Sequence, residues 1–340
     1  MSTLKVEIVK INEVKMHPNA DALDLAVVNG WQSVIRKGSF KTGDLAVYFP
    51  LDSVLEERLS DTIGVTSYLS KGRVRAAKLR GESSFGLLWS AKDAEDYLGF
   101  GVCEGMDITD ALKVTKWVPP LNFNIEDAEV SHPNFFRYTE IENMRNYPDL
   151  IKVGDDVIMT EKIHGTNARH AYIDGQYMAG GHNIRFKENA KNRFWNVFDD
   201  GMKVALKNLS ERHDGADVVM YGEVYGSKVQ DLHYGMEKGN IAYRCFDISV
   251  NGKYLGYTDW FLTCTNFSVP MVPVLFRGKF NMEQVLKFST NSSDLPDADN
   301  IMEGVVIRLV VERHDPAFGR VILKYVFDQY LNRKGGSEFR

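Results

Sequence analysis

The stretch that most limits how this chain can fold is residues 156–167, DVIMTEKIHGTN. Its apolar start, Asp156–Met159, predicts a strand that enters a core, and Lys162 stands where that strand ends. A lysine amine in that place can attack a phosphorus atom, and Gly165 lets backbone approach a nucleotide closely. A nucleophilic lysine needs cationic neighbours or a metal ion to lower its pKa, because a free lysine amine is protonated at neutral pH. A solvent-facing lysine at a strand end fits the same short pattern. Other parts of the chain are therefore needed to distinguish a nucleophilic Lys162 from a solvent-facing one.

Residues 161–167, EKIHGTN, resemble the nucleotidyl-acceptor motif of the covalent nucleotidyltransferases. Their His-Gly-Thr-Asn ending is similar to the RNA-ligase branch of that superfamily. The resemblance implies that Lys162 is the catalytic residue and forms a phosphoramide with AMP or GMP. It also implies that Glu161, Ile163 and Asn167 contribute to binding the nucleotide.

Further segments follow in the order that the family has them. Residues 177–185, YMAGGHNIR, resemble the segment that places a basic residue against the nucleotide's phosphate and sugar. His182 and Arg185 are the candidates here, although a Gly-rich hairpin turn explains this segment equally well by itself. In residues 218–226, VVMYGEVYG, the resemblance implies that Glu223 contacts the ribose or lies near a metal. A carboxylate suits paired hydroxyls because it accepts two hydrogen bonds.

The last segments supply the remaining expected contacts. Phe246, before Asp247, resembles the aromatic residue that stacks on the purine, and a core phenylalanine is the plainer alternative. Glu303 in EGVVIR resembles the glutamate that helps to hold magnesium, for which a lone carboxylate plus phosphate oxygens is suitable. Lys324 resembles a lysine that contacts the α-phosphate. Many relatives have Lys-x-Lys there, whereas this chain has Ile322 at the first position.

Composition limits the function classes. The 340 residues are enough for two domains, and the net charge of −5 means that any nucleic-acid contact has to be a local patch. The three cysteines are widely spaced and odd in number, which favours a reducing compartment over a disulfide framework or zinc site. The start lacks the apolar core of a signal peptide, and no apolar run is long enough to span a membrane. We therefore expect a monomeric cytoplasmic protein (nuclear if eukaryotic) that is not secreted.

Residues 1–115 predict short strands with frequent turns, which is typical of a small β-barrel. Asn29-Gly30 predicts the turn of a hairpin, as Asn251-Gly252 does later in the chain. The loop His17–Leu23 resembles that of the OB-fold modules that bind tRNA, although its residues also suit an ordinary polar turn.

A basic segment follows in the same domain, with no acidic residue inside it. Alternation predicts that its first three members share one face of a strand, where they could follow a phosphate backbone. A charged edge strand that resists aggregation is the alternative. The predicted nucleic-acid-binding residues are Lys71, Arg73, Arg75, Lys78 and Arg80.

The order of the parts predicts an α+β protein. An OB-like β-barrel domain, residues 1–115, would be followed by a linker, residues 116–137. Residues 138–340 would form an ATP-grasp-like nucleotidyltransferase domain of antiparallel sheets flanked by helices, entered through a helix capped by Thr139. Classical DNA ligases place an OB domain after the last motif, but only residues 325–340 follow Lys324 here. This layout resembles the Deinococcus-type RNA ligases, RNA ligase family 5.

The resemblance implies an ATP-dependent RNA ligase with ATP and Mg²⁺ (or Mn²⁺) as cofactors. It would join RNA 3′-hydroxyl and 5′-phosphate ends through lysyl-AMP and an adenylylated RNA 5′ end. A DNA nick ligase and an RNA guanylyltransferase share the lysine motif and remain alternatives. A non-catalytic tRNA-binding or RNA-binding protein, suggested by His17–Leu23, is the alternative from another class.

Overall fold

The computed structural model describes residues 4–118 and 127–333, and the chain divides into two compact units, Met1–Pro120 and Leu121–Arg340. The strands of the first unit are β1 Glu7–Lys10, β2 Glu13–Met16, β3 Leu23–Val28, β4 Trp31–Arg36, β5 Leu45–Phe49, β6 Ser53–Val54, β7 Ala77–Leu79, β8 Glu82–Ser84, β9 Leu87–Ser90 and β10 Thr115–Lys116. Its helices are α1 Glu57–Ile63 and α2 Ala91–Leu98, with a 3-10 turn at Thr66–Tyr68.

Short antiparallel sheets build this first unit, with β1, β5 and β9 in one and β2, β3 and β4 in another. The turn between β3 and β4 has both central residues in the left-handed region, Asn29 at φ 48° and Gly30 at φ 73°. This confirms the predicted hairpin, because the type I′ turn needs that conformation at both positions. Buried apolar side chains from β1, β5 and both helices, among them Ile8, Phe49 and Leu59, form the core.

The basic segment differs from its prediction. Residues 71–75 form a turn at Lys71-Gly72 rather than a strand, so alternation does not place their side chains on one face. Arg73 is buried, with its guanidinium bonded to Asp52 Oδ1 and 3.4 Å from the centre of the Trp117 ring. Arg73 therefore holds the turn in place, which removes it from the predicted contact surface.

The second unit contains longer strands and larger helices. Its strands are β11 Ala128–Glu129, β12 Glu142–Asn143, β13 Asp156–Lys162, β14 Thr166–Ile173, β15 Gln176–Gly181, β16 Arg185–Phe186, β17 Val218–Gly226, β18 Ile241–Val250, β19 Lys253–Tyr254, β20 Val274–Lys279, β21 Gly304–Leu309, β22 His314–Asp315, β23 Gly319–Arg320 and β24 Ile322–Val326. Its helices are α3 Arg193–Asn196, α4 Asp200–Arg212, α5 Tyr257–Asn266, α6 Met282–Lys287 and α7 Asp328–Leu331, with a 3-10 turn at Met144–Asn146.

Two sheets dominate the described part of this unit. The large sheet has the order β11-β16-β15-β14-β17-β18-β19, and the small sheet has the order β12-β24-β21-β13-β20. The strands pair antiparallel except for β12, which runs parallel to β24. Helices α4 and α5 cover one face of the large sheet, where Met202, Leu206 and Trp260 pack against strand residues such as Met220.

The small sheet shows a two-residue alternation that separates its core face from its other face. Val157 and Met159 of β13 and Val305 and Ile307 of β21 lie in one apolar cluster with Leu323 of β24. The intervening residues therefore point to the opposite side, which is the side that carries the predicted site. The structure is thus mainly antiparallel sheet with flanking helices, as the α+β prediction requires.

The entry to the second unit differs from its prediction in two respects. Within the predicted linker, residues 119–126 lie outside the described residues, whereas Ala128–Glu129 pair with Arg185–Phe186 and Phe135 is buried. The predicted helix at Thr139 does not form. Residues 136–141 are irregular, and Glu142–Asn143 join the small sheet beside β24, where strand pairing outweighs the local capping pattern.

No helix within the described ranges is long and apolar enough to cross a membrane.

Replacing Arg73 by alanine should lower the free energy of unfolding of the first unit by about 3 kcal/mol, because the largely buried Asp52 carboxylate loses its partner. Arg75 is exposed, and the matched Arg75→Ala change should cost less than about 0.5 kcal/mol. Urea unfolding of the full chain measures both values. Equal losses in the two variants would contradict the anchoring role of Arg73.

Candidate active site

A cleft of about 190 Å³ lies on the non-core side of the small sheet. Its floor consists of alternate residues from three neighbouring strands, since β13 pairs with β21 and β21 pairs with β24. These floor residues are Thr160, Lys162, Val306, Arg308, Ile322 and Lys324. The strand alternation therefore brings two predicted site lysines, which are far apart in sequence, into one cleft.

Lys162 ends β13 with its amine 2.8 Å from Glu303 Oε1. Glu303 is itself buried, and it stands directly before β21, where Gly304 is the cross-strand partner of Lys162. His164, two residues after the lysine, is also buried, and its Nδ1 atom lies 3.8 Å from Glu303 Oε2. Burial is the main cause that lowers the pKa of the His164 imidazole. The Lys162 amine is the donor of the hydrogen bond to Glu303.

Gly165 is required by close packing inside the protein. A Cβ atom at this position would lie 2.2 Å from the carbonyl oxygen of Val224 in β17. The backbone amide of Gly165 also donates to the Glu223 carboxylate. The glycine thus allows the loop after Lys162 to lie against the large sheet, whereas the sequence interpretation had assigned it to the nucleotide.

Glu223 and Glu303 place two carboxyl groups beside Lys162. Burial is the main cause that raises the pKa of Glu223 to about 8, Lys162 lowers it, and the charge of Glu303 raises it further. The buried Oε2 atom of Glu303 has no hydrogen-bond partner among the described residues. A hard divalent cation fits this donor set, because magnesium usually takes one or two carboxylates and completes its shell with phosphate oxygens and water. Within the described residues, no cluster of three or more candidate ligands forms a cage for a metal.

Glu161, which precedes the lysine, is a second buried carboxyl group with an incomplete set of partners. Its Oε2 atom accepts a hydrogen bond from the amide of Asp294 at 2.8 Å, while Oε1 has no partner among the described residues. Burial raises the pKa of Glu161 to about 7. Glu161 is also among the residues that line the cleft.

The predicted basic residues are only partly brought together. His182 and Lys324 line the cleft, and His182 Nε2 lies 3.5 Å from Glu140 Oε1. Arg185 is not among the lining residues, and its Nε atom lies 3.1 Å from Glu129 on the neighbouring strand β11. The structure therefore favours His182 over Arg185 as the residue that meets a phosphate.

The remaining predicted contacts line the cleft as well. Phe246 of β18 is half-buried and packs against Tyr138, with 4.8 Å between ring centres. Ile163 and Asn167 follow the lysine, and the buried Oδ1 atom of Asn167 has no hydrogen-bond partner among the described residues. An aromatic face, an apolar side chain and an amide are the groups that a purine nucleoside needs.

Sequence reasoning missed several further residues that line the cleft. Tyr138, Thr139, Glu140 and Ile141 line it, although the local pattern predicted a helix start there. It also missed Arg308, which is buried and bonds to Asp247 at 3.2 Å. The position of Arg308 on the strand after Glu303 was a usable signal, since alternate residues of a strand share a face.

In the first unit, Lys71, Arg75, Lys78 and Arg80 are exposed. Lys78 and Arg80 belong to the β7–β8 hairpin, which the predicted loop at His17 holds. The Nε2 atom of His17 lies 3.0 Å from the Leu79 carbonyl oxygen, and the side-chain Nδ2 of Asn19 donates to the Arg80 carbonyl. The loop thus holds the basic hairpin through its backbone carbonyl groups.

The stability of the protein should fall between about pH 4.5 and 7 because Glu161 has a raised pKa. The folded state keeps the proton of Glu161 up to about pH 7, whereas the unfolded chain loses it near pH 4.5. Folding is therefore favoured below the unfolded pKa, and that contribution disappears as the pH rises through the folded value. In Glu161→Gln the decrease in melting temperature from pH 4.5 to 7 should be smaller. Identical pH profiles for the two proteins would contradict the raised pKa.

Comparisons with known proteins agree with this geometry. No curated protein sequence matched the chain. A Naegleria gruberi RNA ligase with a lysine-to-alanine mutation, solved with ATP and Mn, is 25% identical, with a TM-score of 0.80 and coverage of 96% of this chain and 98% of that one. The same ligase with pyrophosphate is 25% identical, with a TM-score of 0.78 and coverage of 97% and 98%. A lysine-to-methionine mutant with AMP and Mn is 25% identical, with a TM-score of 0.78 and coverage of 96% and 97%.

Family models match both units. A model described as an OB-fold domain matches residues 5–91, which confirms the predicted OB-fold domain ahead of the catalytic unit. The model described as RNA ligase matches residues 155–326, and this range runs from the start of β13 through Lys324. Since that match covers just over half of the chain, the chain belongs to the RNA ligase family.

Proposed function

We propose that this chain is an ATP-dependent RNA ligase, which seals 3′-hydroxyl and 5′-phosphate ends through lysyl-AMP. The observation that carries the proposal is the position of Lys162, whose amine enters the cleft and donates to Glu303. The similar Naegleria ligases were solved with ATP, AMP, pyrophosphate and Mn, and these are the nucleotide forms and metal that such a reaction involves.

In the first step, the Nζ atom of Lys162 attacks the α-phosphorus of ATP, and the proton that the amine loses passes to solvent. A phosphorus–nitrogen bond forms, and the bond to the pyrophosphate oxygen breaks. Lys324 and His182, which line the cleft, offset the negative charge that develops on the phosphate. A magnesium or manganese ion held by Glu223 and Glu303, when bound, neutralises phosphate charge and favours the uncharged form of the amine.

The nucleoside part of ATP has its own set of contacts. Phe246 stacks on the purine, and Glu161, Ile163 and Asn167, which also line the cleft, contact the base and sugar. Ile322, at the first position of the expected Lys-x-Lys, presents an apolar side chain there, so Lys324 carries the phosphate contact without a second lysine.

The later steps use RNA. AMP passes from Lys162 to the 5′-phosphate of an RNA strand, and the phosphorus–nitrogen bond breaks. The 3′-hydroxyl of the second strand then displaces AMP and closes the phosphodiester. The exposed residues Lys71, Arg75, Lys78 and Arg80 contact the RNA backbone, because a cationic surface is needed on a chain of net charge −5.

The alternatives have less support. DNA nick sealing and GTP-dependent capping share the lysine chemistry, but the family model is that of RNA ligases and the similar structures hold ATP or AMP. A purely RNA-binding protein would not need the carboxylates around Lys162. Three finer statements stay predictions. The order of domains supports the Deinococcus-type subfamily, and the resemblance supports a monomer. The unpaired cysteines support a cytoplasmic location.

Lys162→Ala should form no lysyl-AMP, because the attacking amine is gone. Intact-protein mass spectrometry with ATP and Mg²⁺ should show a gain of one AMP on the parent chain, reversed by pyrophosphate, and none on the variant. Lys279→Ala is the matched control, since Lys279 also pairs with a carboxylate on the small sheet, at 2.8 Å from Asp156, but is exposed. An AMP adduct on Lys162→Ala, or none on the parent, would refute the proposal.

Lys78→Ala and Arg80→Ala should each weaken RNA binding and reduce the slope of log affinity against log salt by about 0.7, the value for one phosphate contact on a single strand. Titrations of a labelled single-stranded RNA at several salt concentrations measure the slope. Lys92→Ala is the control, because Lys92 is exposed on α2 next to Asp93. Unchanged slopes in the hairpin variants would exclude this hairpin from the RNA surface.

A further inference from the structure

His164, on the loop that follows Lys162, has both ring nitrogens in short hydrogen bonds. Its Nε2 atom lies 2.7 Å from Asp231 Oδ1, and its Nδ1 atom lies 2.9 Å from the hydroxyl of Tyr330. The imidazole is only 2% exposed, so no more than traces of solvent compete for these bonds. A side chain this constrained has one orientation.

The partners also assign the proton of the neutral ring. An ionised carboxylate only accepts, so Nε2 carries the hydrogen and donates to Asp231. Nδ1 is then the acceptor, and the Tyr330 hydroxyl donates to it. The lone pair of Nδ1 is thereby turned toward Tyr330, on the side where Glu303 Oε2 lies 3.8 Å away.

Arg333 fixes both partners of the histidine. Its Nε and Nη2 atoms donate to the two oxygens of Asp231 at 2.9 and 3.0 Å, which is the bidentate geometry that arginine makes with carboxylates. Its guanidinium carbon lies 3.7 Å from the centre of the Tyr330 ring, and its Nη1 atom donates to the Tyr330 carbonyl at 2.9 Å. One arginine thus sets the position of the carboxylate and of the ring that carries the hydroxyl.

The segment around Asp231 also holds the backbone of the loop that follows Lys162. The amide of His164 donates to the hydroxyl of the buried Tyr234, at 2.6 Å. Gln230 donates to the carbonyl of Gly165, at 3.1 Å. Gln230, Asp231 and Tyr234 all belong to the segment after β17. This one segment therefore restrains both the His164 side chain and the backbone of residues 164–165.

These contacts lead to the reacting group. Glu303 lies between Lys162 and His164. Its Oε1 atom is 2.8 Å from the Lys162 amine, and its Oε2 atom is 3.8 Å from Nδ1 of His164. A displaced imidazole would open space beside Glu303 and allow its carboxylate to rotate away from the amine. Misplacement of a reacting group by a fraction of an ångström is costly, because attack requires near-ideal alignment.

We propose that Asp231, Tyr330 and Arg333 form a brace that positions His164 and, through it, the Glu303 carboxylate against Lys162. They are positioning residues for lysine adenylylation, and this role rests on the proposed function. None of the three lines the cleft, so they act on the rate of the step and not on the contacts with ATP.

The test compares Asp231→Asn and Arg333→Gln with the parent in single-turnover lysyl-AMP formation over a range of ATP concentrations. At saturating ATP we expect the rate to fall about tenfold or more in each variant, with the ATP concentration for half-maximal rate changed less than twofold. Because both changes break the contact between Asp231 and Arg333, the loss in the double variant should be smaller than the two single losses combined. Arg333→Lys keeps the charge without the paired geometry and should recover part of the rate.

Asp328→Asn is the matched control. Asp328 lies on α7, the helix that also carries Tyr330, but its carboxylate pairs with Arg145, at 2.6 Å, and not with His164. This control should keep the parent rate within twofold, and melting temperatures should show that all variants are folded. Parent-like rates in folded Asp231→Asn and Arg333→Gln would overturn the proposal, as would an equal loss in Asp328→Asn.

A second measurement does not depend on the nucleotide. In ¹⁵N-histidine NMR of the full chain, the His164 signals, identified by their loss in His164→Gln, should show the tautomer with hydrogen on Nε2. Hydrogen on Nδ1 would overturn the brace. A parent chain that forms no lysyl-AMP would instead overturn the proposed function, and the NMR spectrum distinguishes these two failures.

Discussion

The pairing of β13 with β21 is the constraint on which the site depends. It sets Lys162 opposite Gly304, and so next to Glu303. The register has no freedom, because a slip of one residue would turn Lys162 into the apolar cluster and Met159 or Val305 out of it. Gly304 adds a second restriction, since a Cβ there would lie 2.3 Å from the Tyr325 carbonyl oxygen of β24. The packing of the core face therefore fixes the chemistry on the other face.

Buried carboxyl groups in the second unit differ in how completely the protein supplies them with partners. Asp247 is completely buried but is compensated by Arg320 at 2.7 Å, Arg308 at 3.2 Å and the Tyr138 hydroxyl at 2.9 Å. Such a network is structural, because each charge has its partner inside the protein. Glu161, beside Lys162, differs, because its Oε1 atom has no hydrogen-bond partner among the described residues and its pKa is raised to about 7. Perturbed carboxyl groups of this kind are commoner at functional sites than in structural networks.

Much of this arrangement could be predicted from the sequence, since the features involved are local. Asn251 and Gly252 form the expected turn at φ 47° and 75°, and the apolar run before Lys162 is a core strand. The alternating pattern around Arg73 was misleading, because the nearby Asp52 and Trp117 bury the guanidinium. Local pattern carries no information about such partners, and the same reason hid Asp231 and Arg333, which surround His164 from distant parts of the chain.

The order in which the small sheet's strands occur along the chain has a consequence for biosynthesis. β13 is emerging from the ribosome long before β20 and β21, which flank it in the finished sheet, and Glu303 follows Lys162 by 141 positions. Until these later strands are made, β13 has two open edges and an apolar face, which is the condition that favours wrong pairing. The lysine also lacks its carboxylate partner during that time. The pair of Lys162 and Glu303 therefore forms only when the last strands have joined the sheet.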